Sequence, residues 1–270
     1  ASALTFDMTD YKTLTFSGSA NLEIIGIDVF TELTSIAGTS ATGGLTLDLD
    51  DNAGAYSINL GAGADSITAD QANTGTGGRT INLGGGKDTL DLGSLGAESD
   101  DVFTGGDGED TIIFADTSDI TVANTAGVSG FERLVLSEAA TLDMNDFADR
   151  GAQFTIIKAD STTDSAALTI NNVGSSVTTL ELDATNAADG NVDADEDVVF
   201  DRLVDGAADS LTVKVTATAN LGDELIVDDE ETITIDTNAA ALTLNTGISA
   251  ADLTALTIVG DNNVDLSALD

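Results

Sequence analysis

Hydrophobic residues in this chain alternate with polar ones over short stretches: Leu45, Leu47 and Leu49 in "LTLDLD", Leu211, Val213 and Val215 in "LTVKV", Ile233 and Ile235 in "TITID", and Leu242 and Leu244 in "LTLN". A side-chain period of two turns one set of residues inward and leaves Thr, Asn and Asp on the other face, which predicts short, half-buried strands. Helical periodicity is almost absent. The candidates are Ser249 to Leu256, with Ser249 as N-cap, and a turn around Asn145 to Arg150.

Gly, Asn, Asp, Ser and Thr fill the segments between the strands, Pro is absent, and no low-complexity linker marks an internal boundary. Strands spaced roughly 9–14 residues apart suit either a β-sandwich or a solenoid. Self-similarity favours the solenoid. "INLGAGADSI" (58–67) and "INLGGGKDTL" (81–90) align without a gap, and "VFTGGDGEDTI" (102–112) continues the pattern with its first strand changed. Asp65, Asp88 and Asp110 fall in register, 23 and 22 residues apart. Such a period fits one coil of a parallel β-solenoid, in which like features stack one coil away. The expected fold is therefore an all-β parallel β-solenoid, or β-helix, with very little helix. With 270 residues, 41% of them hydrophobic, the chain can bury a sizeable core as one elongated domain. Gly/Asp repeats occupy 55–115, and Thr- and Asp-rich strands occupy 120–270.

Charge narrows the partners. The chain has 48 acidic and 8 basic side chains, a net charge of −40, which repels nucleic acid and anionic membranes and favours multivalent cations. Most of the acids are Asp, a poor helix former whose short side chain makes a stiff oxygen ligand for hard cations. A solvated acidic surface accounts for many of them, but not for the ordered glycines beside some. There is no Cys, hence neither disulfides nor thiol chemistry. No stretch approaches the about 18 apolar residues of a spanning helix. The chain starts at Ala and lacks a signal-peptide pattern, as expected of a processed product or a piece of something longer.

The chemistry-bearing pattern is a run of glycines, a spacer, an Asp, another spacer and a large aliphatic residue. It occurs as Gly61, Gly63, Asp65 and Ile67; as Gly84, Gly86, Asp88 and Leu90; and as Gly105, Gly106, Asp107, Gly108, Asp110 and Ile112. Glycine lets the backbone turn with positive φ and brings carbonyl oxygens together, Asp supplies a carboxylate, and the aliphatic residue plugs the core. Stacked coils would set Asp65 over Asp88 over Asp110, where bare carboxylates repel. A Ca²⁺ between coils, taking about six to eight oxygens, converts that repulsion into a cross-link. Gly61, Gly63, Asp65, Gly84, Gly86, Asp88, Gly105, Gly106, Asp107, Gly108 and Asp110 are thus the candidate metal-site residues.

These residues resemble the repeats-in-toxin nonapeptide, G-G-x-G-x-D-x-U-x, of Ca²⁺-binding β-rolls in secreted bacterial proteins. The third copy matches every fixed position, and the first two match all but the first glycine. Single copies every 22 or 23 residues depart from the family's tandem arrays, so wider coils with a calcium ladder along one edge are expected. The remainder, in phrases such as "VSGFERLVLS" and "LTALTIVGDNNVDLSAL", is similar in style to Thr- and Asp-rich segments of bacterial surface-layer proteins exported by type I secretion. The resemblance implies a secreted, extracellular or cell-surface structural protein that folds on Ca²⁺ and assembles with itself, with cell-surface polysaccharide as a further partner. A calcium-stiffened segment of a large adhesin is the alternative.

Other acidic clusters carry less. Asp193, Asp195 and Asp197 alternate as in an EF-hand loop, but Val198 stands where the loop needs glycine and no Glu closes it. "LDLDDNAG", with Asp48, Asp50 and Asn52, and "VDDEE" at 227–231 read by default as solvated turns. Without His or Cys, zinc-dependent proteolysis, His-dependent triads and thiol catalysis are excluded. A pair of carboxylates for glycoside hydrolysis remains open, although no pair stands out. Polysaccharide-cleaving β-helix enzymes share the expected fold, but the scattered bases and the negative surface disfavour a uronate polymer. No phosphate-binding G-x-x-x-x-G-K-[ST] occurs. A non-enzymatic role is expected.

Overall fold

The protein is described here by a computed structural model covering residues 12–24, 33–49, 54–70, 77–93, 96–115, 117–136, 141–159, 168–183, 197–221, 224–244 and 247–266. The chain is a parallel β-solenoid that divides into two compact units, Ala1–Glu132 and Arg133–Asp270.

Unit 1 builds each coil from two strands. One sheet stacks Thr13–Thr15, Ser35–Ala37, Ser57–Asn59, Thr80–Gly86, Val102–Gly108 and Val128–Ser129; the other stacks Leu22–Ile24, Leu45–Asp48, Ser66–Thr68, Thr89–Asp91 and Thr111–Phe114. Every pairing is parallel, with a strand of one coil on the equivalent strand of the next. The alternating pattern explains what is buried. Ile36, Ile58, Ile81 and Phe103 form one inward column, and Leu47, Ile67, Leu90 and Ile112 form the other. All eight are essentially inaccessible, each contributing about 1.5–3 kcal/mol by burial. The aliphatic residues of the Gly/Asp repeats, Ile67, Leu90 and Ile112, thus plug the core as the sequence predicts.

Unit 2 keeps the same logic without the glycine motif. One sheet stacks Arg133–Leu136, Ile156–Ala159, Thr179–Leu182, Ser210–Val215, Thr232–Asp236 and Ala255–Val259; a second stacks Thr141–Asp143, Leu168–Val173, Val198–Arg202, Glu224–Ile226 and Gly247–Ser249; a third stacks Ala219–Leu221, Leu242–Leu244 and Val264–Leu266. Hydrogen bonds between successive coils span 22 or 23 residues in places, as in unit 1, but coils carrying longer turns widen the step to 27 between Glu224 and Asp197, 29 between Asn172 and Asp143 and 33 between Lys214 and Glu181.

The helix expected over Ser249 to Leu256 does not form. Ser249 ends a strand, and Leu256 lies within Ala255–Val259, stacked on Ile233. The Ser249 hydroxyl, read as an N-cap, instead donates to Asp228 in the preceding coil at 2.7 Å, and the Ala251 N–H joins it at 3.2 Å. Stacking on an existing coil outweighs a short segment's own preference. The turn near Asn145 is present as a 3₁₀ turn, Met144–Asp146, capped by Asp143.

Each unit buries one arginine. Arg79 lies between Asp101, at 2.6 Å, and the carbonyls of Ala69 and Gly96, with Phe103 under its guanidinium. Arg202 pairs with Glu230 at 2.6 Å, reaches the carbonyls of Gly174, Val177 and Ser210, and stacks on Phe200. Fixed, planar donors suit arginine to such corners.

Candidate metal centre

In unit 1 the corner between the two sheets is where the glycines sit. Gly84 and Gly106 have φ of 95° and 117°, conformations that favour glycine. Crowding reinforces the choice. A Cβ on Gly84 would strike the Gly61 carbonyl oxygen, and one on Gly106 would strike that of Gly84; likewise Gly86 lies against Gly63 O and Gly108 against Gly86 O. Gly61 and Gly63 crowd the Ala41 and Gly43 carbonyls in the same way, and Gly105 that of Gly130. The corner is therefore lined by backbone carbonyls approaching as closely as glycine permits. Gly106→Ala is expected to cost at least about 1–2 kcal/mol from its φ alone, read as a lowered melting temperature of unit 1.

Strand register places Asp65, Asp88 and Asp110 in one column. Each is buried, at 2%, 1% and 0% exposure. One oxygen of each is committed to a backbone N–H of the preceding coil. Leu45 N–H donates to Asp65 Oδ1 at 2.6 Å, Asp65 N–H to Asp88 Oδ1 at 2.7 Å, and Asp88 N–H to Asp110 Oδ1 at 2.9 Å. The other oxygen, Oδ2, has no hydrogen-bond partner in any of the three. A buried carboxylate oxygen left bare is costly, and here three follow one another at coil spacing.

Burial, opposed by a single backbone N–H, pushes the carboxyl of each of the three above the ordinary range, and the charges on Asp110 and Asp65 add to the effect at Asp88. Asp88 is raised to about 7. At Asp88 the protonated and ionised forms are therefore balanced near neutral pH, and a positive charge placed beside it would favour the ionised form.

Sequence reasoning missed the last rung. Asp110 N–H donates to Glu132 Oε2 at 3.0 Å, across 22 residues. The signal is visible in retrospect, because Gly130-x-Glu132 repeats the Gly108-x-Asp110 spacing with the longer acid. At the opposite end Gly43-x-Leu45 keeps the glycine but not the acid, so the carboxylates begin at Asp65. Asp107 is exposed; it stacks on Gly85, and its charge is felt at Asp110. Lys87 and Glu109 form an exposed pair at 3.3 Å between the two turns, worth little by itself.

Comparison with the other corners isolates what is special here. Arg79 N–H donates to Asp101, Arg202 N–H to Asp229, and Asp209 N–H to Glu231, so acids hold coil to coil throughout the protein. Where such an acid is also deeply buried, as Asp101 is, an arginine neutralises it. Asp65, Asp88 and Asp110 have the same backbone bond and no arginine. Their donor set is oxygen only, carboxylate plus turn carbonyl, which suits a hard cation such as Ca²⁺. Among the described residues no three acidic side chains converge into a cage, so a cation here would draw on carboxylates singly and on the Gly61, Gly63, Gly84 and Gly86 carbonyls.

The remaining acidic clusters resolve differently. "VDDEE" is not a solvated turn: Asp228 accepts from Ser249, Asp229 from Arg202 N–H and Glu231 from Asp209 N–H, and Glu230 is fully buried. Coil stacking brings donors to these acids that neighbouring sequence does not reveal. Asp197 accepts from Glu224 N–H at 3.0 Å. Asp193, Asp195, Asp50 and Asn52 lie outside the described residues. Among the described residues no helix is long and apolar enough to cross a membrane. No protein-family model, curated protein or solved structure matches the chain.

Proposed function

We propose that this chain is an extracellular structural protein that completes its fold by binding Ca²⁺ along the Asp65–Asp88–Asp110 column and then assembles with other copies of itself into a surface layer or filament. The observation carrying this reading is the run of three buried, unpartnered Oδ2 atoms beside glycine-lined carbonyls. Bound Ca²⁺ supplies positive charge and extra coordination where these oxygens have none. The chain's residues do the rest. Glycines admit the close turns, Oδ1 of each aspartate fixes coil register through a backbone N–H, and Ile67, Leu90 and Ile112 anchor each turn to the core.

The charge supports an extracellular compartment. At the low calcium of a cell interior the acidic column opposes closure and keeps the chain fit for export; at millimolar calcium outside, binding and folding become one equilibrium. The bases support a structural role. Arg79, Lys87, Arg133, Lys158, Arg202 and Lys214 each pair with an acid of the same chain, which commits them to holding coils together.

Asp88→Asn tests the site. The amide keeps an acceptor for Asp65 N–H and removes a buried charge, so the calcium-free variant is expected to be more stable than wild type at neutral pH while needing more calcium for its calcium-induced stabilisation. A calcium dependence identical to wild type contradicts the proposed column. Assembly is read separately by electron microscopy: ordered sheets or tubes on adding Ca²⁺ favour a lattice protein, whereas a persistent calcium-loaded monomer that binds a glycan favours an adhesin arm.

A further inference from the structure

Net charge is a problem for any assembly of this chain, because copies carrying −40 each repel, and contact between surfaces without carboxylates adds least to that repulsion. One such surface exists in unit 1. Ahead of the glycine corner, the outward positions of the sheet running from Thr13–Thr15 to Val128–Ser129 hold only Ser, Thr, Asn, Ala and Val; the exposed Asp107 lies beyond that corner, near the end of Val102–Gly108. Successive central strands present Ser57 and Asn59, Thr80 and Asn82, and Val102 and Thr104, all at exposed or half-buried positions. Val102 is 45% exposed. The opposite sheet of the same unit is different, since its outward positions include Glu23, Asp48 and Asp91.

We infer that this uncharged face of unit 1 is the surface on which a second copy of the chain docks, sheet against sheet. Hydroxyls and amides on a parallel sheet form rows about 4.8 Å apart, able to give and accept hydrogen bonds with an identical array while Val102 loses water. Packing the acidic sheet instead would strip water from its carboxylates, which is strongly unfavourable. A second copy is a better occupant than a soluble sugar, because the outward positions carry no aromatic ring to stack on one.

The size of the face sets the kind of contact. Strand spacing and rise give an area of about 250 Å², far below the about 800 Å² per partner of a stable dimer. The contact is therefore weak alone and suited to repetition, where many such contacts act together. This inference rests on the self-assembly proposed above, and its test separates the two.

Asn82→Asp with Ser57→Asp places carboxylates on the face without altering core positions, and Thr257→Asp, on the exposed outward face of Ala255–Val259, is the control. The double variant is expected to lose calcium-induced assembly by light scattering, while its circular dichroism, melting temperature and calcium isotherm stay those of wild type; the control assembles normally. Assembly of the double variant at wild-type concentration overturns the inference. The chain has no cysteine, so Asn82→Cys and Thr257→Cys each give one thiol, and a short bis-maleimide reads contact directly. Selective dimer cross-linking through Asn82→Cys supports the face even if no ordered lattice forms, in which case only the lattice reading falls. Cross-linking no greater than through Thr257→Cys overturns the face, whatever wild type does.

Discussion

Arg202→Ala is expected to destabilise unit 2 by about 3–5 kcal/mol, the range for removing one partner of a buried ion pair. Glu230 is the reason for the size. It is fully buried, its Oε1 meets Arg202 at 2.6 Å, and its Oε2 has no hydrogen-bond partner, so without the guanidinium the carboxyl must take a proton or stand bare. The deficit should therefore grow as pH rises. Arg79→Ala is expected to cost less, because Asp101 keeps the N–H of residue 79 at 2.7 Å and that of Glu98 at 2.8 Å. Arg202→Met with Glu230→Leu should recover most of the loss, since a well-packed apolar replacement of a buried pair is often close to neutral. Urea titrations of the variants check the ranking; equal losses for Arg79→Ala and Arg202→Ala contradict this account of the two corners.

The second large effect is a reversal of pH dependence by calcium. Asp65, Asp88 and Asp110 have folded-state carboxyls raised above their ordinary values by burial. The native state then binds more protons than the unfolded chain, so calcium-free stability is greatest below the ordinary carboxylate range near pH 4. It is lost as pH rises through the folded value, about 7 for Asp88. With calcium bound the sign inverts: stability holds above that pH and falls on acidification, as protons displace the metal. General repulsion among the many acids also weakens the calcium-free protein as pH rises, so Asp88→Asn provides the discriminating comparison. Its melting temperature should fall less steeply between about pH 4 and pH 7 than that of wild type. Parallel slopes would remove the column from the explanation.

Much of the fold was legible because coil stacking writes a period into the sequence. Asp65, Asp88 and Asp110 recur at the interval that the strands adopt, and Leu211, Val213, Ile233 and Ile235 alternate because one face of each strand is core. The column of aspartates and the glycine corner were legible for the same reason. What was hidden depends on neighbours one coil away. Nothing local marks Asp228 as the partner of Ser249, or Arg79 and Arg202 as core residues rather than surface bases, and only the Gly130-x-Glu132 spacing hints at Glu132 as the last rung. The helix read over Ser249 to Leu256 failed likewise, because stacking Leu256 on Ile233 is a non-local gain. The unpartnered state of each Oδ2 is also a fact of packing, which no spacing rule gives.

A calcium titration of chelator-stripped protein at neutral pH, with bound metal and backbone circular dichroism followed in the same samples, tests the central claim most directly. Metal uptake and gain of β-structure should rise together at millimolar or lower calcium, and both should shift to higher calcium in Asp88→Asn. A wild-type protein with the same spectrum and melting temperature in chelator as in calcium, and with no metal bound at millimolar calcium, would contradict it.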